Sequence, residues 1–197
     1  MTTATTATTT TTSEKILQCA QTLIVAGGYN GFSYADIAKV VGIRNASIHH
    51  HFPSKAQLVQ TLVQQYRAAA QNGIAEMERN IADPVRKLQA YAGYWEGCLV
   101  NPDSSFCVCA MLAAEMPLLP EEIAVEVRAH FMMFANWLTS VLEDGSKQGR
   151  IRLTQAPRRE AELILATVHG AMLSARAYGD AKMFAVIIRP VLDRLAA

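Results

Sequence analysis

A chain of 197 residues, 51% hydrophobic and 18% charged, is long enough to bury a sizeable core and too apolar to be disordered. The formal net charge of +1 excludes a uniformly basic or acidic surface, yet residues 1–67 carry Lys15, Lys39, Arg44, Lys55 and Arg67 against only Glu14 and Asp36, so a polyanion would meet the N-terminal end. No apolar run reaches the roughly 18 residues of a membrane span and four cysteines do not make a disulfide framework, so a reducing, cytoplasmic setting with no membrane partner is expected.

Residues 1–12, MTTATTATTTTT, hold too little apolar surface to offset ordering entropy and are expected to form a disordered tail. From Ser13 the pattern is helical. Ile16, Leu17, Ala20, Leu23 and Ile24 form one apolar stripe, closed by Gly27-Gly28. A second helix starts at Ser33, with Asp36 as its capping-box partner, and stops at Gly42. A short third covers about 45–51. Pro53 then interrupts, Ser54 caps, Gln57 completes a capping box, and a long fourth helix carries Leu58, Leu62, Val63 and Tyr66 toward residue 80.

Prolines in the first turn mark further helices near 84–100, 120–147 and 157–178. SSFCVCAMLAAEM (104–116) and DAKMFAVIIRPVLDRLAA (180–197) supply two more, the last kinked or shortened by Pro190. The expected fold class is all-α with about nine helices and no strand. Its divisions are the tail at 1–12, a three-helix unit at 13–54 and a larger helical unit at 55–197. Three short helices with a glycine turn between the second and third are the layout of a helix-turn-helix, whose last helix enters the major groove.

The residues match more closely than the layout. The run ILQCAQTLIVAGGYNGFSYADIAKVVGIRNASIHHHFPSKAQLVQTLV resembles the DNA-binding domain of the TetR family of transcriptional repressors. That family shares an Ile- or Leu-led first helix, an IA…G(V/I) second helix and turn, a recognition helix ending in YHHF or YYHF, and SK opening the fourth helix. The resemblance covers about 16–63 residue by residue; beyond that it is one of helix number and length. It implies a homodimer bound to a palindromic double-stranded DNA operator and released by a small-molecule effector.

The resemblance also assigns the histidines. Neighbours in a helix lie about 100° apart, so His49, His50 and His51 cannot converge on one ion, and neither a metal nor another cofactor is expected. His49 and His50 stand where the family touches phosphates or base edges, His49 replacing the usual Tyr, while His51 with Phe52 would anchor the helix end. Arg44, Asn45 and Ser47 fall at the end of the recognition helix that meets base edges, where Arg suits guanine and Asn adenine. Asn45 could instead serve as the helix N-cap. Ser33 and Tyr34, at a helix N-terminus, and Lys55 would hold the sugar-phosphate backbone.

In the second unit the last two long helices would pair with their mates, using Leu163, Ile164, Ala166, Thr167, Gly170, Ala171 and Ser174 on one and Phe184, Ile187, Ile188, Val191 and Leu195 on the other. An effector pocket among the middle helices would draw on Tyr91, Trp95, Phe106, Met111, His130, Phe134, Trp137 and His169, although such residues at helical spacing equally make plain core. SSFCVCAMLAAE resembles a stretch of electrophile- and oxidant-sensing members of the family, which makes Cys107 the candidate sensor. Ser104 as N-cap would put Cys107 in a first turn, where the helix dipole lowers a thiol pKa, with Cys98 as resolving partner; the alternative is a small buried hydrophobe. A His- and Cys-dependent helical enzyme is the rival reading, but no nucleophile, base and orienting group occur as a set, so no catalysis is expected.

Overall fold

Local signals place the helices of the first unit. The computed structural model describes residues 10–100 and 106–197. Helix α1 (Thr12–Gly27) opens on a capping box in which Thr11 N–H donates to the Glu14 carboxylate at 2.7 Å and Thr11 Oγ1 accepts from Glu14 N at 3.2 Å. Order thus begins before Ser13, because Thr11 with Glu14 satisfies the helix end; residues 1–9 of the expected tail lie outside the described residues. Helix α2 (Tyr34–Val41) is capped by Ser33, whose N–H and hydroxyl both donate to the Asp36 carboxylate, at 2.8 and 2.7 Å. It ends at Gly42, which takes the left-handed conformation with φ 75° that lets the chain turn into α3 (Asn45–His51).

Helix α3 has seven residues and is too short to stand by itself. It is held through Ile48, which is fully buried, and through Phe52 just past its end. They join Ile16, Ala20 and Ile24 of α1, Ile37 of α2 and Leu58, Val59 and Val63 of α4 (Lys55–Asn80) in one core. Each fully buried aliphatic side chain contributes about 1.5–3 kcal/mol. Ser54 Oγ accepts from Gln57 N at 3.1 Å and starts α4, which runs 26 residues out of this unit into the next.

The second unit comprises α5 (Pro84–Val100), α6 (Val108–Ala113), a 3₁₀ turn (Met116–Leu118), α7 (Glu121–Lys147), α8 (Pro157–Tyr178) and α9 (Lys182–Asp193). Among the described residues there are nine α-helices and no strand, only an isolated bridge between Ile151 and Ala196. Helix α7 is the hub, packing on α4, α5, α6 and α8. The fully buried Glu160 carboxylate accepts from Arg194 and from Gln155 at 3.1 Å, tying the C-terminal end to the start of α8.

Two expectations change. The helix at 104–116 shrinks to α6 because Pro117 disfavours helical backbone at Met116 and the chain tightens into a 3₁₀ turn; Ser104 lies outside the described residues. The expected stripe of the last helix turns largely inward: Phe184, Ile188 and Leu195 are buried within the chain and Ile187 and Val191 are half-buried, whereas Val186, outside that stripe, faces outward. On α8, Ile164 and Ala171 are internal, and Leu163, Ala166, Gly170 and Leu173 form the outward stripe.

Gly42 has open space around a would-be Cβ, so its only constraint is backbone. Gly42→Ala should therefore destabilise the chain by roughly 1–2 kcal/mol, the cost of the left-handed conformation, measured by denaturant unfolding.

Candidate nucleic-acid interface and buried cavity

Burying Ile48 turns the opposite side of α3 outward. Arg44, Asn45, Ala46, His49 and His50 are all exposed, and Ser47 is half-buried at the edge of this face. Arg44 is the N-cap residue with no side-chain cap bond, and Asn45 is the first helical residue, so Asn45 does not serve as the cap and its amide is free to meet a ligand. His49 lies edge-on to the Tyr34 ring, centroids 4.8 Å apart, with Nδ1 3.4 Å from the Pro53 carbonyl. His50 stands clear of the core. His51 is exposed too, so the anchoring expected of it falls to Phe52 alone.

The residues expected to grip the sugar-phosphate backbone are engaged inside the unit. Tyr34 is buried and its hydroxyl donates to the Phe52 carbonyl at 2.8 Å, which fixes the C-terminal end of α3 to α2. Burial pushes its phenol up to about 12. The Lys55 ammonium donates to the Phe32 carbonyl and sits over the Tyr29 and Phe32 rings, 4.7 and 4.1 Å from their centroids. Burial lowers its pKa. Ser33 is exposed, but the Asp36 carboxylate already occupies the α2 N-terminus, and its bonds to Ser33 hold it below the usual carboxylate range. These three residues shape the platform on which α3 stands.

The second feature is a cavity of about 140 Å³ between α4, α5 and α7. Tyr91, Trp95, His130 and Phe134 line it, as the sequence suggests. Its remaining wall comes from Tyr66, Ala70, Gly73, Ile74 and Met77 on α4, with Ala69 and Tyr94 at an exposed rim. Phe106, Cys107, Met111, Trp137 and His169 do not line it. Trp137 backs the Tyr91 ring at 5.6 Å and donates from Nε1 to Glu78 at 2.8 Å. His169 packs on Phe131 at 5.0 Å, with Nδ1 2.8 Å from the Leu165 carbonyl. Phe106 lies under the Arg176 guanidinium at 5.3 Å, and Met111 Sδ accepts from Arg176 at 3.4 Å.

Residues 16–62 match the family of bacterial regulatory proteins, tetR family, and residues 84–191 match the tetracyclin repressor-like C-terminal domain. The chain belongs to the TetR family. It is 62% identical to a TetR-family transcriptional regulator from Agrobacterium tumefaciens, whose crystal structure superposes with a TM-score of 0.92 over 94% of this chain and 97% of that one. A TetR transcriptional regulator from Legionella pneumophila is 28% identical, with a TM-score of 0.86 over 95% and 99% of the two chains. The HTH-type transcriptional repressor DhaR of Mycobacterium sp. strain GP1 is 25% identical over 147 residues, 74% of this chain and 73% of that one.

In this TetR-family chain the helix-turn-helix is clasped by the second unit. Glu115, between α6 and the 3₁₀ turn, accepts from Tyr29 N at 2.8 Å and Asn30 Nδ2 at 3.4 Å, in the loop between α1 and α2. A Cβ on Gly28 would lie 1.9 Å from Glu115 Oε1, so only glycine permits this approach. Arg176 of α8 donates to the Val25 carbonyl at 3.0 Å. Glu126 of α7 accepts from Arg67 and Gln64 of α4, each at 2.8 Å. Neither the clasp nor the α4 wall was picked out from sequence; the only signal was the small-residue patch Ala69, Ala70, Gly73 in an otherwise polar helix.

Cys107 differs from the expected sensor. It is the N-cap residue of α6, outside the first turn, and is fully buried with its thiol beside the Tyr66 hydroxyl. Burial pushes the thiol up to about 11, the reverse of activation. Cys109 is shifted upward for the same reason.

His130 offers a pH test. It is fully buried and desolvation lowers it to about 4, while the unfolded chain keeps the ordinary value near 6.5. Between those values the unfolded state binds the proton that the folded state refuses. Stability should fall as pH drops from about 6.5 to about 4, by up to about 3 kcal/mol. Urea unfolding across pH 4–7 should show this slope, flattened in His130→Leu. Cys107 should react with iodoacetamide at pH 7.5 at least a hundredfold slower in the native chain than in urea, followed by mass spectrometry.

Proposed function

We propose that the protein is a homodimeric transcriptional repressor that reads a palindromic operator with α3 and releases it when the cavity between α4, α5 and α7 is filled. The observation that carries this reading is the double membership of α4. Leu58, Val59, Leu62 and Val63 belong to the core that carries α3, and Tyr66, Ala70, Gly73, Ile74 and Met77 on the same helix form the cavity wall. A molecule that shifts the wall must shift the platform or break the helix. An effector acts only through its preference for the non-binding arrangement.

Arg44 and Asn45 are the base readers, with Ser47, His49 and His50 beside them on the exposed face. Phosphate contacts come from His50, the backbone around α3 and long cations at its margin, rather than from Tyr34 or Lys55. The second copy covers the outward stripes of α8 and α9, where Leu163, Leu173, Tyr178 and Val186 are exposed, between 43% and 72%. Large apolar side chains left exposed on two helices that pack on each other support an interface. A twofold pair sets two α3 helices about 34–36 Å apart, one turn of duplex. The setting is the cytoplasm, and no helix of the described residues is long and apolar enough to cross a membrane.

The test is titration of the full chain into the duplex upstream of its own coding sequence, with mass measured by light scattering. Expected are a dimer, binding that weakens steeply with salt, and protection of two half-sites one turn apart. Arg44→Ala should cost roughly 1–3 kcal/mol on the matched site and little on random duplex. Lys55→Ala should lower the unfolding midpoint instead. A monomer at micromolar concentration, or equal losses on matched and random DNA, would refute this reading.

A further inference from the structure

The cavity carries hydrogen-bonding capacity that its walls leave unused. Tyr91 Oη, Trp95 Nε1 and both ring nitrogens of His130 are buried without a hydrogen-bond partner among the described residues, and all three residues line the cavity. Tyr91 and Trp95 lie near each other, but neither meets the other at hydrogen-bond geometry. Phe134, which lines the same cavity, packs its ring 5.4 Å from Tyr91 and 5.1 Å from His130. Buried polar groups are nearly always bonded, and unpartnered groups on three residues that line one void point to a ligand that bonds some of them.

The walls state what that ligand is. Among the described residues no Asp, Glu, Lys or Arg lines the cavity. His130 is held neutral by its burial, and the neighbouring Arg67 is paired with Glu126 at 2.8 Å. A charged ligand would be stripped of water with no counter-charge, so the occupant is neutral. Trp95 can only donate, neutral His130 presents one N–H and one bare nitrogen, and Tyr91 can do either. One ligand oxygen reaches only one nitrogen of an imidazole; a carbonyl there must meet the N–H, whereas a hydroxyl can accept from Trp95 and either donate to the bare nitrogen of His130 or accept from its N–H. The rings of Tyr66, Tyr91, Trp95 and Phe134 suit a flat molecule, and about 140 Å³ is the size of void that takes one benzene ring.

We infer that the cavity binds a neutral single-ring phenol, its hydroxyl placed among Tyr91, Trp95 and His130 and its ring between the aromatic walls and the α4 face. The consequence for operator release rests on the repressor reading above; the binding itself does not.

Isothermal titration of the full chain at pH 7 with phenol, toluene, cyclohexanol and benzoate tests the class. Phenol should bind saturably and raise the unfolding temperature, toluene and cyclohexanol should bind at least tenfold more weakly, and benzoate should give no saturable heat. Tyr91→Phe, which keeps the ring, should weaken phenol by roughly tenfold and leave toluene unchanged; a toluene-induced rise in unfolding temperature shows that the variant is folded. Toluene, cyclohexanol or benzoate binding as tightly as phenol would overturn the inference, as would phenol producing neither heat nor thermal shift at 10 mM. Phenol binding without operator release would uphold the ligand class and sink the repressor reading of the cavity. Operator release by another molecule, in a chain that ignores phenol, would do the reverse.

Discussion

One helix both carries the core beneath the helix-turn-helix and walls the cavity, and the behaviour of the molecule depends on that sharing. The first turns of α4 bury Leu58, Val59, Leu62 and Val63 beneath the helix-turn-helix, and the next turns form one side of the cavity. A helix transmits displacement along its axis because each turn is bonded to the next. The second unit also touches the first through Glu115 and Arg176, which hold the loop after α1 and the end of α1 itself. The helix-turn-helix is therefore fixed by α4, Glu115 and Arg176, and α4, α6 and α8 all pack against α7.

The exposed face of α3 follows from economy of structure. Seven residues cannot make a stable helix alone, so α3 is held from behind by Ile48 and Phe52 and from its end by the Tyr34 hydroxyl. With those side chains turned inward, the remaining positions have no structural duty. Arg44, Asn45 and His50 are left free on a surface that the charge distribution already makes mildly basic. Tyr34 and Lys55 show the other outcome, in which the donors that could have met phosphate are taken up by the Phe52 and Phe32 carbonyls.

Much of the fold was legible in the sequence because its signals are local. Ser54 with Gln57, Ser33 with Asp36, and proline in the first turns of α5 and α8 act within four residues, so helix starts could be read directly. The exposed set on α3 was legible for the same reason, since a single buried Ile48 sets the helix phase. The cavity was half legible: Tyr91, Trp95, His130 and Phe134 announce themselves by type, whereas Ala70 and Gly73 contribute by being small, which matters only once three helices are packed together. Cys107 misled because reactivity depends on burial and on where the helix begins, and tertiary packing decides the burial. Glu115 was unreadable, as its partners lie 85 and 86 positions away.

The coupling can be tested without any ligand. Gly73 lies on the cavity wall of α4 and has open space around a would-be Cβ. Gly73→Phe should plug the cavity from within, while Gly73→Ala changes the helix without filling the void. The decisive measurement is operator affinity of the two variants side by side. If α4 joins the cavity to α3, the Ala variant binds as the parent does and the Phe variant binds at least tenfold more weakly while remaining dimeric and folded. Equal operator affinity in a folded, dimeric Phe variant would contradict the account, because the cavity would then be occupied with no effect on the reading helices.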